Sequence, residues 1–165
     1  NLELVSIEPE RLAALIRPCL PHLDLLIVND HEMGAVAGET TVTKQGTDID
    51  ACQRAAEKVL SLGAMQLVVV HFPAGAIAMT GSGELIRQPS CKVPVEEIVG
   101  ANGAGDAFAA GFLYGFHEGW KLPDCLRLGH AAAGASLRSI STVGSVETWQ
   151  RCLALAKGWG FRDPI

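Results

Sequence analysis

Two short apolar runs most constrain what this chain can become. Leu23 to Val28 ends at Asn29, and Leu67-Val68-Val69-Val70 ends at His71. Runs of this length, rich in branched aliphatic residues and closed by a polar one, have the form of strands buried on both faces. Between them, Thr47 to Leu62 carries Ala51, Ala55, Val59 and Leu62 at helical spacing, with Asp48 or Asp50 as cap and Gly63 as stop. Strand, helix and strand in that order predict a parallel βαβ unit, whose strands deliver functional residues at their carboxyl ends.

The remaining elements fit around that unit. Ile7 to Leu20 reads as a helix with Leu12, Leu15, Ile16 and Cys19 on one stripe, started by Pro9 and stopped by Pro18 and Pro21. Met33, Ala35, Val36 and Ala37 give a short helix that Gly38 ends, and Gly81-Ser82-Gly83 between Ala76–Thr80 and Glu84–Gln88 is a hairpin signal. Further helices are expected from Gly103 onward, from Pro123 through Leu137, and from Trp149 to Trp159. No repeat or linker interrupts the order, so residues 1–165 read as a single α/β domain.

Composition narrows the partners. The 165 residues are 48% hydrophobic and 19% charged with a net charge of −5, which suits a packed core and disfavours a general nucleic-acid surface. Five scattered cysteines, with no Cys-x-x-Cys pair, fit reduced thiols rather than a disulfide framework or zinc site. With no basic-then-apolar leader and no membrane-spanning run, the expectation is a soluble cytoplasmic protein with neither nucleic acid nor membrane as partner. A chain beginning at Asn1 is expected to be cut from a longer one.

The chemistry concentrates in Gly100-Ala101-Asn102-Gly103-Ala104-Gly105-Asp106-Ala107-Phe108, which runs into Phe112 and Phe116 at helical spacing. A glycine-rich turn opening a helix presents bare N–H groups and the positive end of the dipole, an attractive place for an anion. Asp106 stands inside that anion site. A carboxylate repels phosphate, so phosphate binding alone does not account for it; a general base beside a transferring phosphoryl group does. The competing reading is an ordinary first-turn acid favoured by the dipole. A dinucleotide fingerprint fails because Phe108 stands where its last glycine belongs, and a phosphate loop fails for want of Gly-Lys-Ser/Thr.

This stretch resembles the signature of ribokinase-like (PfkB) carbohydrate kinases, usually Asp-Thr-x-Gly-Ala-Gly-Asp. The Gly-Ala-Gly-Asp core and the following Ala-Phe match; Gly100-Ala101 replaces the family's Asp-Thr. The resemblance implies ATP as cofactor, Asn102, Gly103, Ala104 and Gly105 as the anion hole, and Asp106 as the base for a sugar or nucleoside hydroxyl. In relatives the replaced Asp helps hold a monovalent cation, so potassium activation is not implied here. Asn29 and Glu32 match the family's Asn-x-x-Glu motif, associated with phosphate and Mg²⁺; the same pair also reads as a helix cap with a capping-box partner.

Other correspondences are looser. His71-Phe72-Pro73-Ala74-Gly75 stands where relatives carry a Thr-x-Gly turn near the nucleotide, so His71 and Gly75 are candidates, with a strand-end histidine bonded to backbone as the other reading of His71. His130, in Gly129-His130-Ala131-Ala132-Ala133-Gly134, takes a position that the family places beside adenine, although small residues at helical spacing also mark tight helix packing. Thr142 to Ser145 resembles the family's C-terminal glycine-containing loop.

The implied fold is a three-layer αβα sandwich with a mainly parallel sheet, represented by its C-terminal nucleotide-binding part. The N-terminal lid half of the family has no counterpart in this sequence. Three functions follow: an ATP- and Mg²⁺-dependent kinase of a sugar or nucleoside that needs that half, an inert nucleotide-binding or assembly module, or an unrelated α/β domain with a helix-terminal acid. An exposed sheet edge makes a homodimer or complex the expected assembly.

Overall fold

The computed structural model describes residues 8–142 and 144–165. Its chain contacts divide the described residues into two compact units, one of residues 8–72 and 77–86, the other of residues 73–76, 87–142 and 144–165.

In the first unit, α1 (Pro9–Ile16) starts on a proline and gives way to a 3-10 segment, Arg17–His22. The expected helix over Ile7–Leu20 is thus shorter, because Pro18 and Pro21 donate no backbone hydrogen bond; Ile7 lies outside the described residues. Strand β1 (Leu25–Asn29) leads directly into α2 (Asp30–Ala37), which Gly38 closes at φ 72°. Next comes a small hairpin, β2 (Val42–Thr43) and β3 (Gly46–Thr47), which the sequence pattern did not announce. Helix α3 (Ile49–Leu60) is capped by Asp48, whose carboxylate accepts from Ala51 N–H at 2.9 Å. It buries Ala51, Ala55 and Val59 on the anticipated face.

Strands β4 (Leu67–Phe72), β5 (Gly75–Thr80) and β6 (Leu85–Pro89) complete a sheet of order β1-β4-β5-β6, and β5 and β6 each run from one unit into the other. The β1–β4 pair is parallel, with Leu25 opposite Leu67 and Asn29 opposite His71. Two residues join β4 to β5, a link that only antiparallel neighbours allow. The sheet is therefore mixed, with the expected parallel pairing carried by β1 and β4. Val68, Val69, Val70, Ile77 and Ala78 are fully buried, as a strand covered on both faces requires. The glycine hairpin closes as anticipated, Thr80 N–H donating to Glu84 O at 2.9 Å.

The second unit is helical. A 3-10 turn spans Val95–Glu97. It precedes α4 (Ala104–His117), α5 (Leu122–Ser136) and α6 (Trp149–Trp159). Phe108 and Phe112 of α4 are buried, and Leu128, Ala131 and Ala135 of α5 pack with Cys152 and Ala156 of α6. Gly129 lets α5 close on α4, since a methyl there would lie 2.9 Å from the Phe108 ring. Among the described residues no helix is long and apolar enough to cross a membrane.

Candidate functional site

In the second unit, the candidate site is built where the chain turns into α4. Gly103 is the N-cap at φ 76°, a left-handed conformation that glycine adopts without side-chain strain. No side chain caps this terminus. Ala104 N–H donates to Ala101 O at 3.3 Å and Ala107 N–H to Gly103 O at 2.8 Å. Gly105 and Asp106 N–H have no acceptor among the described residues, which is the bare-donor geometry that receives an anion. Asn102 and Asp106 are exposed, Gly103, Ala104 and Gly105 half-buried.

The turn is braced from behind by the segment that follows α5. Val99 N–H and Gly100 N–H both donate to Leu137 O, at 2.8 and 3.2 Å. A Cβ on Gly103 would lie 2.7 Å from Thr142 Cβ and 3.0 Å from its Cα, so the turn rests on Thr142. Glu97 accepts from Trp159 Nε1–H at 3.2 Å and pairs with Arg138 at 3.3 Å, tying the approach to α4 onto α5 and α6. Within the expected C-terminal loop, Ser145 Oγ donates to Ala135 O at 2.7 Å; Val143 lies outside the described residues.

In the first unit, Asn29 and Glu32 form a complete capping box. Glu32 N–H donates to Asn29 Oδ1 and Asn29 N–H to Glu32 Oε2, each at 2.8 Å. The helical-cap reading of these residues is therefore geometrically realised, and Glu32 Oε1 carries no protein hydrogen bond among the described residues. One hard oxygen suits a Mg²⁺ that arrives on phosphates and keeps its waters. A cage made of protein alone is not offered, because no group of three or more His, Cys, Asp or Glu clusters among the described residues. His71 stands beside Asn29 across the β1–β4 pair, half-buried.

Two candidates sit differently from what a nucleotide contact needs. Gly75 is buried, and a Cβ there would meet Gln88 O and Ile165 Cδ1 at 2.6 Å; its missing side chain admits close backbone approach between β5 and β6. His130 is 4% exposed on α5, its ring edge-on to Phe108 at 4.9 Å, within the packing of α5 on α4. Asp30 escaped the sequence reading altogether. It is 5% exposed and accepts from Thr47 Oγ1–H at 2.6 Å. Its only signal in the sequence was its place inside the Asn-x-x-Glu motif.

Burial also shapes the thiols. Burial first, then the carboxylates of Asp30 and Asp48, pushes Cys52 up to about 12, and burial pushes Cys91 up to about 12. Neither thiol is an activated nucleophile.

Comparison with known proteins places these features in a lineage. The pattern described as "pfkB family carbohydrate kinase" matches residues 2–149. An adenosine kinase of Schizophyllum commune is 33% identical over 137 residues, covering 80% of this chain and 40% of that protein. Acarbose 7(IV)-phosphotransferase of an Actinoplanes species is 41% identical over 91 residues, 54% of this chain and 29% of that protein. The structure of Arabidopsis thaliana ribokinase complexed with ribose and ATP aligns with TM-score 0.73 at 27% identity, covering 86% of this chain and 43% of that one. The fold is ribokinase-like, and the chain spans less than half the length of these relatives. By the match over residues 2–149, this chain belongs to the pfkB family of carbohydrate kinases.

Proposed function

We propose that this chain is the nucleotide-binding part of an ATP-dependent kinase that phosphorylates a hydroxyl of a sugar or nucleoside. The observation that carries the reading is the uncapped start of α4, where Gly105 and Asp106 N–H lack acceptors among the described residues and the Asp106 carboxylate is exposed beside them. The amides of Gly105 and Asp106 stabilise charge on the transferring phosphoryl group, Ala104 N–H being held by Ala101 O. Asp106 takes the proton of the acceptor hydroxyl as its oxygen forms the new bond to the γ-phosphorus. The bond from that phosphorus to the bridging oxygen breaks, and ADP leaves with the electron pair. In this reading Asn29 and Glu32 would hold a phosphate-bound Mg²⁺, and the ion would offset phosphate charge.

The relatives named above support a hydroxyl-bearing acceptor, since one was solved with ribose and ATP and another is an adenosine kinase. His71 stands at the end of β4 and serves as an imidazole donor toward the nucleotide in this reading, while Gly75 and His130 serve it through packing. The acceptor must be oriented as well as activated, which assigns efficient turnover to a longer form containing the lid half. The chain pairs with that half, or with another copy, along the sheet edge at β1, which has no strand on its outer side among the described residues.

Calorimetry with ATP and a coupled turnover assay on the same preparation test this. Nucleotide binding with little sugar phosphorylation by the 165-residue chain, and turnover restored by an N-terminal half, is the expected pattern. Binding without turnover in both forms would support the inert-module alternative; no nucleotide binding in either would end the kinase reading.

A further inference from the structure

Asp30 is the first residue of α2 and, among the described residues, the single Asp, Glu, Lys or Arg in the buried set. A carboxylate is costly to bury unless its oxygens are satisfied, and here each oxygen has its own donor. Oδ1 accepts from His31 N–H at 3.0 Å, within the first turn of α2. Oδ2 accepts from Thr47 Oγ1–H at 2.6 Å, a short charge-assisted bond to the end of β3. The main-chain oxygen of Asp30 accepts from Thr41 Oγ1–H at 2.6 Å, and Thr41 O accepts from Asp48 N–H at 2.8 Å. Having left α2 at Gly38, the chain returns to the start of the same helix, and both ends of the β2–β3 hairpin are tied to one residue.

That residue lies between Asn29 and Glu32, inside the turn that their capping box closes. A capping box alone holds a helix start by bonds within one turn, and helix ends fray. Asp30 adds an anchor outside the helix. Two acceptors are needed for this, one for His31 N–H and one for Thr47; a carboxylate has them, whereas an amide side chain has one oxygen.

We infer that Asp30 is a positioning residue for the β1-end site: held by Thr47, its buried carboxylate fixes the first turn of α2 so that Glu32 keeps Oε1 directed to the magnesium–phosphate group. The inference rests on the kinase reading for the role of Glu32, and on the hydrogen bonds above for the role of Asp30. Loss of a group that orients a metal-binding residue typically costs roughly 10- to 100-fold in metal affinity.

The test is the gain in ADP affinity on adding Mg²⁺ in place of EDTA, measured by calorimetry. The proteins are the parent chain, Glu32→Gln, Asp30→Asn, Thr47→Val, Thr47→Ser and the pair Asp30→Asn/Glu32→Gln. The expected result is a clear gain for the parent, lost in Glu32→Gln and largely lost in Asp30→Asn and Thr47→Val, with EDTA affinities within about twofold of each other. Thr47→Ser, which restores the hydroxyl, keeps the gain, and the double variant is no worse than Glu32→Gln alone. If Asp30→Asn fails to fold by circular dichroism, Thr47→Val decides, since it keeps the carboxylate and removes only the donor. A gain retained in Thr47→Val while Glu32→Gln loses it would overturn the inference and leave the kinase reading standing. ADP that binds the parent without any magnesium gain, or a gain retained in Glu32→Gln, would remove the assigned role of Glu32 and the inference with it. No ADP binding to the parent would overturn both readings.

Discussion

Gly103 rests on Thr142, so closely that a methyl group on the glycine would come within 2.7 Å of the threonine Cβ. Gly103 also holds φ at 76°, so two independent constraints select glycine at the N-cap of α4. Gly103→Ala is expected to lose about 1–3 kcal/mol of stability from the left-handed backbone alone, and to weaken nucleotide binding further as the turn shifts off Thr142. Urea unfolding and calorimetry measure the two effects. Adding Thr142→Gly should recover the steric part and not the backbone part.

Asp106 separates binding from chemistry. In an active form containing this segment, Asp106→Asn keeps the uncapped helix start and removes the base, so turnover is expected to fall about 10²–10⁴-fold with nucleotide affinity held or improved. Paired loss of stability and nucleotide binding, with turnover per bound nucleotide unchanged, would make Asp106 a structural residue.

The thiols give a pH-dependent prediction with a definite sign. Cys52 is raised from 9.0 to about 12 by burial, then by Asp30 and Asp48. Its folded value exceeds its unfolded one, so its contribution to stability is fully present below about pH 9 and is lost as the pH rises toward 12. Cys52→Ala should flatten that alkaline decline in urea midpoints, after allowance for the cavity it creates. Below pH 9, a maleimide should label exposed Cys19 in the folded chain and reach Cys52 and Cys91 only on unfolding.

The outer edge of β1 supplies the test of assembly. Leu25, Leu26 and Ile27 are only half-buried in a strand whose other side pairs with β4. Open edges of this kind are ordinarily covered. Light scattering at micromolar concentration is expected to show a dimer or, with an N-terminal half present, a complex; a monodisperse monomer in both conditions would count against pairing at this edge.

Local chemistry made much of this chain legible before its folding was known. Continuous runs of valine and leucine announced β1 and β4, Asp48 and Gly38 announced helix ends, and the glycines around Asp106 announced the start of α4, because each signal acts through neighbours in sequence. The Asn29–Glu32 pair was legible as a capping box for the same reason. Tertiary structure decided what residues distant in sequence must settle together. Asp30 became a buried anchor because Thr41 and Thr47 return to it, and the β2–β3 hairpin formed with it. Gly75 and His130 entered packing because Gln88, Ile165 and Phe108 fill the space around them. Gly103 took its seat only because Thr142 lies beneath it. A sequence specifies propensities over a few residues directly, while the partner of a buried polar group or the room beside a glycine exists only once remote segments have packed.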